Sequence, residues 1–296
     1  MKISYIRYAV MAVAMILGSL GAKAGDLTAH RGTVSNAYNF WLYTPDAPGQ
    51  DVESKPVVIF LHGASLCGNN LNRVKRYGTI DAIEKGRDID AYVIAPQNPG
   101  GSWNPGKIMN ILDWVSDNYN IDYDRVYVLG MSLGGYGTID LAATYPDRIA
   151  AAMAFCGGGT VKDLSGLNDV PLWIVHGTGD RAVSVKQSDN VVDKMRSSSE
   201  DGETPRLIYD RIPGMNHSQP ARLFYLEESY EWLFAHTLKD HTREVKESFA
   251  IDSSTLKGAY RDLRSSRSGK SNRVQSAFSK TSSKKPASRK SRRRRS

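Results

Sequence analysis

Cysteine is nearly absent from this 296-residue chain; there are two, Cys67 and Cys156, and neither lies in a metal-ligand spacing. No cysteine follows the apolar run Ala9 to Leu20, which argues against a lipoprotein anchor, and that run is too short to span a bilayer. No glycine loop of the phosphate-cradling kind is present, so neither a metal nor an organic cofactor is expected. Internal repeats are missing, and nothing marks a second folded domain. Acidic residues are absent from positions 1–24, and residues 257–296 hold only one, Asp262.

Those two acid-poor ends differ in kind. Lys2 and Arg7 precede the apolar run, and Ala22-Lys23-Ala24 is a small-x-small cleavage pattern. Residues 1–24 are therefore expected to be a secretory signal peptide, with an uncleaved anchor as the alternative, and the protein to be exported to the periplasm, cell surface or exterior. Residues 257–296 carry 15 Lys and Arg, ending in Arg289 to Arg295. Such a Ser/Lys/Arg-rich stretch buries too little apolar surface to offset chain entropy, so residues 243–296 are expected to be a linker and a disordered basic tail. The tail suits anionic polymers or membrane surfaces, and no specific nucleic-acid binding is expected of an exported chain. Residues 25–256 keep 21 basic against 30 acidic residues, so an acidic body precedes a basic tail.

Between the ends, apolar β-branched runs alternate with helical patterns. Asn39 to Tyr43, Pro56 to Leu61, Ala91 to Ala95, Arg125 to Leu129, Ile149 to Phe155, Pro171 to Val175 and Leu207 to Ile212 have strand character. Ile108, Ile111, Leu112, Val115 and Tyr119 form one helical stripe, Val185 to Met195 has helix character, and Leu223, Leu226, Tyr230, Leu233 and Phe234 form a closing stripe. This alternation predicts an α/β domain over residues 25–242, a mainly parallel sheet with helices on both faces. Ligands of such sheets bind beyond the carboxyl ends of the strands. Cys67 and Cys156 both follow strands at that end, and either a disulfide or two separate small buried residues fits their placement.

Gly130-Met131-Ser132-Leu133-Gly134 follows one of those strands and opens a helical stretch of small residues. A G-x-S-x-G in a strand–turn–helix context is a nucleophile elbow, the feature of an α/β-hydrolase fold. A serine hydroxyl needs a base to take its proton and an acid to orient that base. In the chain order serine, acid, histidine, the post-strand loops offer Ser132, Asp180 and His217. His62 and His176 each sit in a His-Gly pair directly after a strand, where an imidazole more often braces loop backbone. The backbone N–H groups of Leu133 and Ala64, with Ser65 as second choice for the latter, are the expected oxyanion donors.

The stretches L-H-G-A (61–64), A-P-Q (95–97), D-R-V-Y-V-L-G-M-S-L-G-G-Y-G-T (124–138), F-C-G-G-G (155–159) and W-I-V-H-G-T-G-D (173–180) resemble secreted bacterial hydrolases of the α/β-hydrolase superfamily. The group resembled is that of predicted peptidases, prolyl-oligopeptidase-like proteins and carboxylesterases of the feruloyl-esterase type. The resemblance spans about residues 36–236. It implies catalytic roles for Ser132, Asp180 and His217 and an oxyanion hole at Ala64 and Leu133. The segment Ser65 to Asn70 departs from the glycine and acidic residues usual after the His-Gly pair, next to the reacting carbonyl. Trp103, in a loop at the strand ends, is a candidate for stacking on a flat acyl group or a sugar ring. The expected function is hydrolysis of small-molecule or polysaccharide-linked carboxylic esters through an acyl-enzyme. The alternatives are a serine peptidase of prolyl-oligopeptidase type and a binder of anionic surfaces acting through its tail.

Overall fold

Strand β3 (Lys55–Leu61) is apolar from Pro56 onward because both of its faces are covered. Val57, Ile59 and Leu61 point into one buried cluster, and Val58 and Phe60 into another. Side chains alternate across a strand, so an unbroken apolar run demands packing on both sides. Helices α2 (Pro105–Asn118), α3 (Leu133–Thr144) and α4 (Lys186–Ser198) supply the first cluster. Helices α1 (Thr79–Glu84), α5 (Glu227–Phe234) and α6 (Ser253–Gly258) supply the second. The computed structural model describes residues 25–45, 53–260 and Leu263. The expected signal peptide and nearly all of the expected basic tail lie outside the described residues.

The remaining strands are β1 (Asp26–His30), β2 (Phe40–Thr44), β4 (Tyr92–Pro96), β5 (Ile121–Met131), β6 (Ala151–Phe155), β7 (Leu172–Gly177) and β8 (Leu207–Ile212). They form one sheet in the order β1-β2-β4-β3-β5-β6-β7-β8. The pairs β1–β2 and β2–β4 are antiparallel and all the others parallel. The loops after β3, β5, β7 and β8 therefore leave from one edge. Among the described residues no helix is long and apolar enough to cross a membrane.

Three features depart from the expected pattern. The edge strand β1 reads Asp-Leu-Thr-Ala-His, too polar to signal itself, and is fixed by pairing with β2 and by His30 stacking on Phe40 at 4.7 Å. The closing stripe is two pieces: a 3₁₀ segment (Gln219–Tyr225) and α5, separated by the extended residue Leu226. Arg87 donates from Nε (3.0 Å) and Nη2 (2.7 Å) to the Tyr225 carbonyl, and the Tyr230 hydroxyl donates to that of Phe224 (2.7 Å). With those carbonyls engaged by side chains, a continuous helical ladder gives way.

The third departure is the boundary expected at residue 242. The Lys246 N–H donates to His236 Nε2 (3.0 Å), the Trp232 indole donates to the Lys246 carbonyl (2.9 Å), and Phe249 meets Trp173 edge-on at 4.9 Å. Asp252 caps α6 through Ser254 N and Thr255 N, which brings Leu256 into the core. Residues 243–260 are thus part of the packed body rather than a free linker. Their apolar residues are scattered among charges without a helical or strand period, so the sequence hides the packing.

Candidate active site

Strand β5 ends at Met131, α3 starts at Leu133, and Ser132 between them sits at φ 58°, ψ −122°. A non-glycine residue there carries strain of about 1–3 kcal/mol, tolerated where the surroundings enforce it. The enforcement is visible. The Ser132 N–H donates to the Phe155 carbonyl (2.8 Å), and the elbow glycines leave no room for side chains. A β-carbon at Gly134 would fall on the Leu61 carbonyl, and one at Gly130 on the carbonyl of Gly134. The G-x-S-x-G spacing is therefore a steric requirement of folding the turn onto β3.

Asp180 follows β7, and its side chain has no exposed surface. Its Oδ2 accepts from His217 Nδ1 at 2.7 Å, and its Oδ1 accepts from the N–H groups of Ala182 (2.8 Å) and Val183 (2.9 Å). Burial works to raise this carboxyl, but the Val183 N–H, the His217 imidazole and the Ala182 N–H outweigh it and hold the group below its ordinary value. The acid stays ionised, and its oriented oxygen fixes the proton of His217 on Nδ1, leaving Nε2 as the basic atom.

Ser132 and His217 line one cavity of about 660 Å³, together with Gly63, Ala64, Leu133, Tyr77 and Tyr136. Among the described residues the serine hydroxyl itself makes no hydrogen bond. Catalytic contacts of unliganded sites commonly close only when substrate is present. Ala64 opens a short 3₁₀ turn and Leu133 opens α3, so neither N–H has an intrahelical partner and both border the cavity. The loop carrying Ala64 is held by its neighbour: the Gly63 N–H donates to the Tyr77 hydroxyl at 2.8 Å.

A second cavity, of about 650 Å³, adjoins the first. Its wall shares Ala182, His217 and Ser218 with the first and adds Gly179, Arg181, Gly214 and Asn216.

Trp103, expected as a stacking candidate, is a correction. It is only 3% exposed and lines neither cavity. Its indole donates to the His62 carbonyl (3.3 Å), and its ring packs edge-on against Tyr38 and His62. The glycine pair before it let the chain turn the indole into the core rather than over the site. His62 braces loop backbone, as its His-Gly context suggests, by accepting the Asn98 N–H at Nε2 (3.0 Å). Both cysteines are free thiols; Cys67 is half-buried and Cys156 buried.

Sequence reasoning missed Tyr77, Tyr136 and the polar wall formed by Arg181, Asn216 and Ser218. It also took His176 for a brace of loop backbone alone. His176 does contact the Val183 carbonyl (3.0 Å), yet its Nε2 is also 3.3 Å from Asp180 Oδ2. The four-residue His176–Asp180 spacing across a tight turn was the one available signal. Cys156, His176 and Asp180 place potential metal-ligand atoms within 4.8 Å of one another. Burial, and then the Asp180 charge, push the Cys156 thiol far up, so it stays a protonated thiol beside the ionised acid, with its Sγ donating to the His217 carbonyl at 3.9 Å.

A family model described as "Putative esterase" matches residues 35–218. Acetylxylan esterase A of Emericella nidulans is 28% identical over 181 residues, 52% of this chain and 54% of that protein. The chain thus spans about half the length of that relative. Poly(3-hydroxyalkanoate) depolymerase C of Paucimonas lemoignei is 31% identical over 121 residues, 35% of this chain and 28% of its own. Among solved structures, a thermostable esterase superposes with a TM-score of 0.57 at 26% identity, covering 72% of this chain and 63% of that one. The feruloyl esterase module of Clostridium thermocellum superposes at 0.50 and 14% identity, covering 77% and 92%, a likeness of fold. The eight-stranded, mostly parallel sheet is that of an α/β-hydrolase.

Proposed function

The chain belongs to the putative esterase family, and from that membership we propose that it is an exported serine hydrolase cleaving carboxylic esters of polysaccharides. One observation carries the reading. The strained serine of the elbow shares a cavity wall with an imidazole whose far nitrogen is bonded at 2.7 Å to a buried carboxylate.

In this reaction Ser132 Oγ attacks the ester carbonyl while His217 Nε2 takes the hydroxyl proton. Asp180 holds the ring and stabilises the imidazolium that forms. The carbonyl oxygen, now carrying charge, is met by the N–H groups of Ala64 and Leu133, which are fixed in place beforehand and cost no reorganisation. The imidazolium then delivers its proton to the departing alcohol oxygen, leaving an acyl group on Ser132. Water, deprotonated by the same imidazole, attacks that acyl-enzyme and regenerates the serine.

The two cavities divide the substrate. The one above Ser132 is walled by Met131, Leu133, Tyr77, Tyr136 and Val183 and suits an acetyl or larger apolar acyl group. The alcohol leaves on the side of the imidazole that protonates it, where Arg181, Asn216 and Ser218 suit a hydroxyl-rich sugar. The acetylxylan esterases among the relatives support a polysaccharide as the alcohol. The 15 basic residues of positions 257–296 are proposed to add contacts to acid groups of such polymers; binding that is salt-sensitive and lost on their deletion is the expected behaviour.

The test is Ser132→Ala. This variant should lose p-nitrophenyl acetate turnover and fluorophosphonate labelling while keeping its circular dichroism spectrum. Activity persisting in it would remove the proposal. A panel of acetylated xylo-oligosaccharides, feruloyl esters and proline-containing aminoacyl amides then ranks ester against peptide chemistry.

A further inference from the structure

Behind the catalytic acid lies a second imidazole that the mechanism above does not use. His176, at the end of β7, has no exposed side-chain surface. Its Nε2 is 3.0 Å from the Val183 carbonyl and 3.3 Å from Asp180 Oδ2, the same oxygen that His217 contacts. Its Nδ1 is 2.8 Å from Ser188 Oγ on α4, and that hydroxyl is in turn 3.0 Å from the Gly157 carbonyl.

The proton count fixes the tautomer. Both neighbours of Nε2 are acceptors, so a neutral ring faces them without repulsion only if the proton is on Nε2. Nδ1 must then accept, and Ser188 is its sole partner among the described residues. The Ser188 hydroxyl has one proton and two acceptors in reach, and it satisfies the ring by turning from the Gly157 carbonyl to Nδ1. Burial lowers the proton affinity of His176 more than the Val183 carbonyl and Asp180 raise it, which keeps the ring neutral. The titratable groups around the pair are His217, the Cys156 thiol, the Tyr136 phenol and Asp189.

We propose that His176 is a positioning residue for the hydrolysis: its Nε2–H, set in that tautomer by Ser188, shares Asp180 Oδ2 with His217 and holds the acid in register with the base. The inference rests on the ester-hydrolase reading. Asp180 then has the N–H groups of Ala182 and Val183 on one oxygen and His217 on the other, with the His176 Nε2–H, bonded to the Val183 carbonyl at 3.0 Å, leaning on that second oxygen from 3.3 Å. This arrangement also has a consequence that simple packing lacks. A donor on Oδ2 draws charge from the oxygen that stabilises the His217 imidazolium. Without that donor the imidazolium is held more tightly, and a higher pH is needed to free the base.

The experiment compares pH profiles of kcat/KM for wild type, His176→Leu and His176→Gln. The leucine variant should move the acid limb up by about 0.5–1 pH unit and lower kcat by about 10-fold. Glutamine, which keeps an N–H near the Nε2 position, should restore most of both. An unmoved limb in a folded leucine variant, or equal loss in both variants, overturns the proposal. Nitrogen-15 NMR of histidine-labelled wild type decides the case even if the leucine variant does not fold. His176 protonated at Nε2 and not titrating across the active range supports the proposal, and protonation at Nδ1 overturns it. Fluorophosphonate labelling of wild type and Ser132→Ala is run alongside. Its failure strikes the ester-hydrolase reading, whereas the ring tautomer is measured independently of turnover.

Discussion

Asp180 Oδ2 lies 2.7 Å from His217 Nδ1, with the carboxylate fully buried and the imidazole side chain 26% exposed. That asymmetry suits an acid that only orients and a base that must reach substrate. Asp180→Asn keeps the shape and the loop hydrogen bonds at Oδ1 but removes the charge, and it can present an N–H to Nδ1. The ring is then driven to carry its proton on Nε2, where it cannot act as a base. We expect kcat to fall by about 10³–10⁴-fold with KM changed little, measured with p-nitrophenyl acetate. A fall of less than tenfold would remove Asp180 from the mechanism.

Gly134→Ala tests whether the elbow is steric. The added methyl would meet the carbonyl of Leu61, a residue paired with Gly130 of β5. Neither side can yield cheaply. The expected cost is about 3–5 kcal/mol or failure to fold, read from urea denaturation midpoints. An alanine variant of wild-type stability would mean that the turn has another way to form.

Much of this architecture was legible because its physical causes are local. The two-faced burial of β3 writes an unbroken apolar run, and the close approach of the elbow to Leu61 writes the glycine spacing. The candidates Ser132, Asp180 and His217 could be named from chain order because each lies in a turn or loop that follows a strand. What stayed hidden depends on contacts between distant segments. Arg87 breaks the closing helix from 138 residues away in the chain. Trp103 turns inward because Tyr38 and His62 offer it an aromatic pocket. The packing of residues 243–260 depends on Trp173 and Trp232, whose faces the sequence does not reveal.

His62 makes an acid-sensitive joint beneath the oxyanion loop. Burial, together with the nearby Arg73 charge, lowers its pKa to about 4, although the Gly63 carbonyl opposes the shift. Its Nδ1 lies 2.9 Å from the Gly63 carbonyl and its Nε2 accepts the Asn98 N–H, an arrangement that suits the neutral ring. An unfolded chain takes up this proton near the ordinary value of about 6.5, well before the folded one does. Stability is therefore complete above about pH 6.5 and declines as pH falls toward 4, by about 1.4 kcal/mol per unit and about 3 kcal/mol in all. Buried His176 and His236, whose pKa values are also lowered by burial, add to the same slope. Urea midpoints at pH 7, 5.5 and 4.5 measure it. His62→Asn should be less stable at pH 7 but show a shallower decline.

The polar cavity beside His217 is expected to give the alcohol side a charge preference. Arg181 is exposed there, and among the described residues no carboxylate forms an ion pair with it. Asn216 uses its Oδ1 to accept from the Ser218 N–H and hydroxyl, so its amide nitrogen is left to donate. Two donors of this kind, set over a floor of Gly179 and Gly214, favour a sugar whose neighbour in the polymer carries a carboxylate. Arg181→Ala should raise KM for acetylated xylo-oligosaccharides bearing a uronic acid by about 5–10-fold, the loss of about 1–1.4 kcal/mol for one exposed charge-assisted contact. KM for the neutral acetylated oligosaccharides should change less than about twofold, and kcat should hold for both. The difference should also shrink as salt is added, because an exposed pair is screened within about 8–10 Å at moderate ionic strength. Equal losses on charged and neutral sugars would instead make Arg181 a general wall of the cavity, with no preference for acid groups.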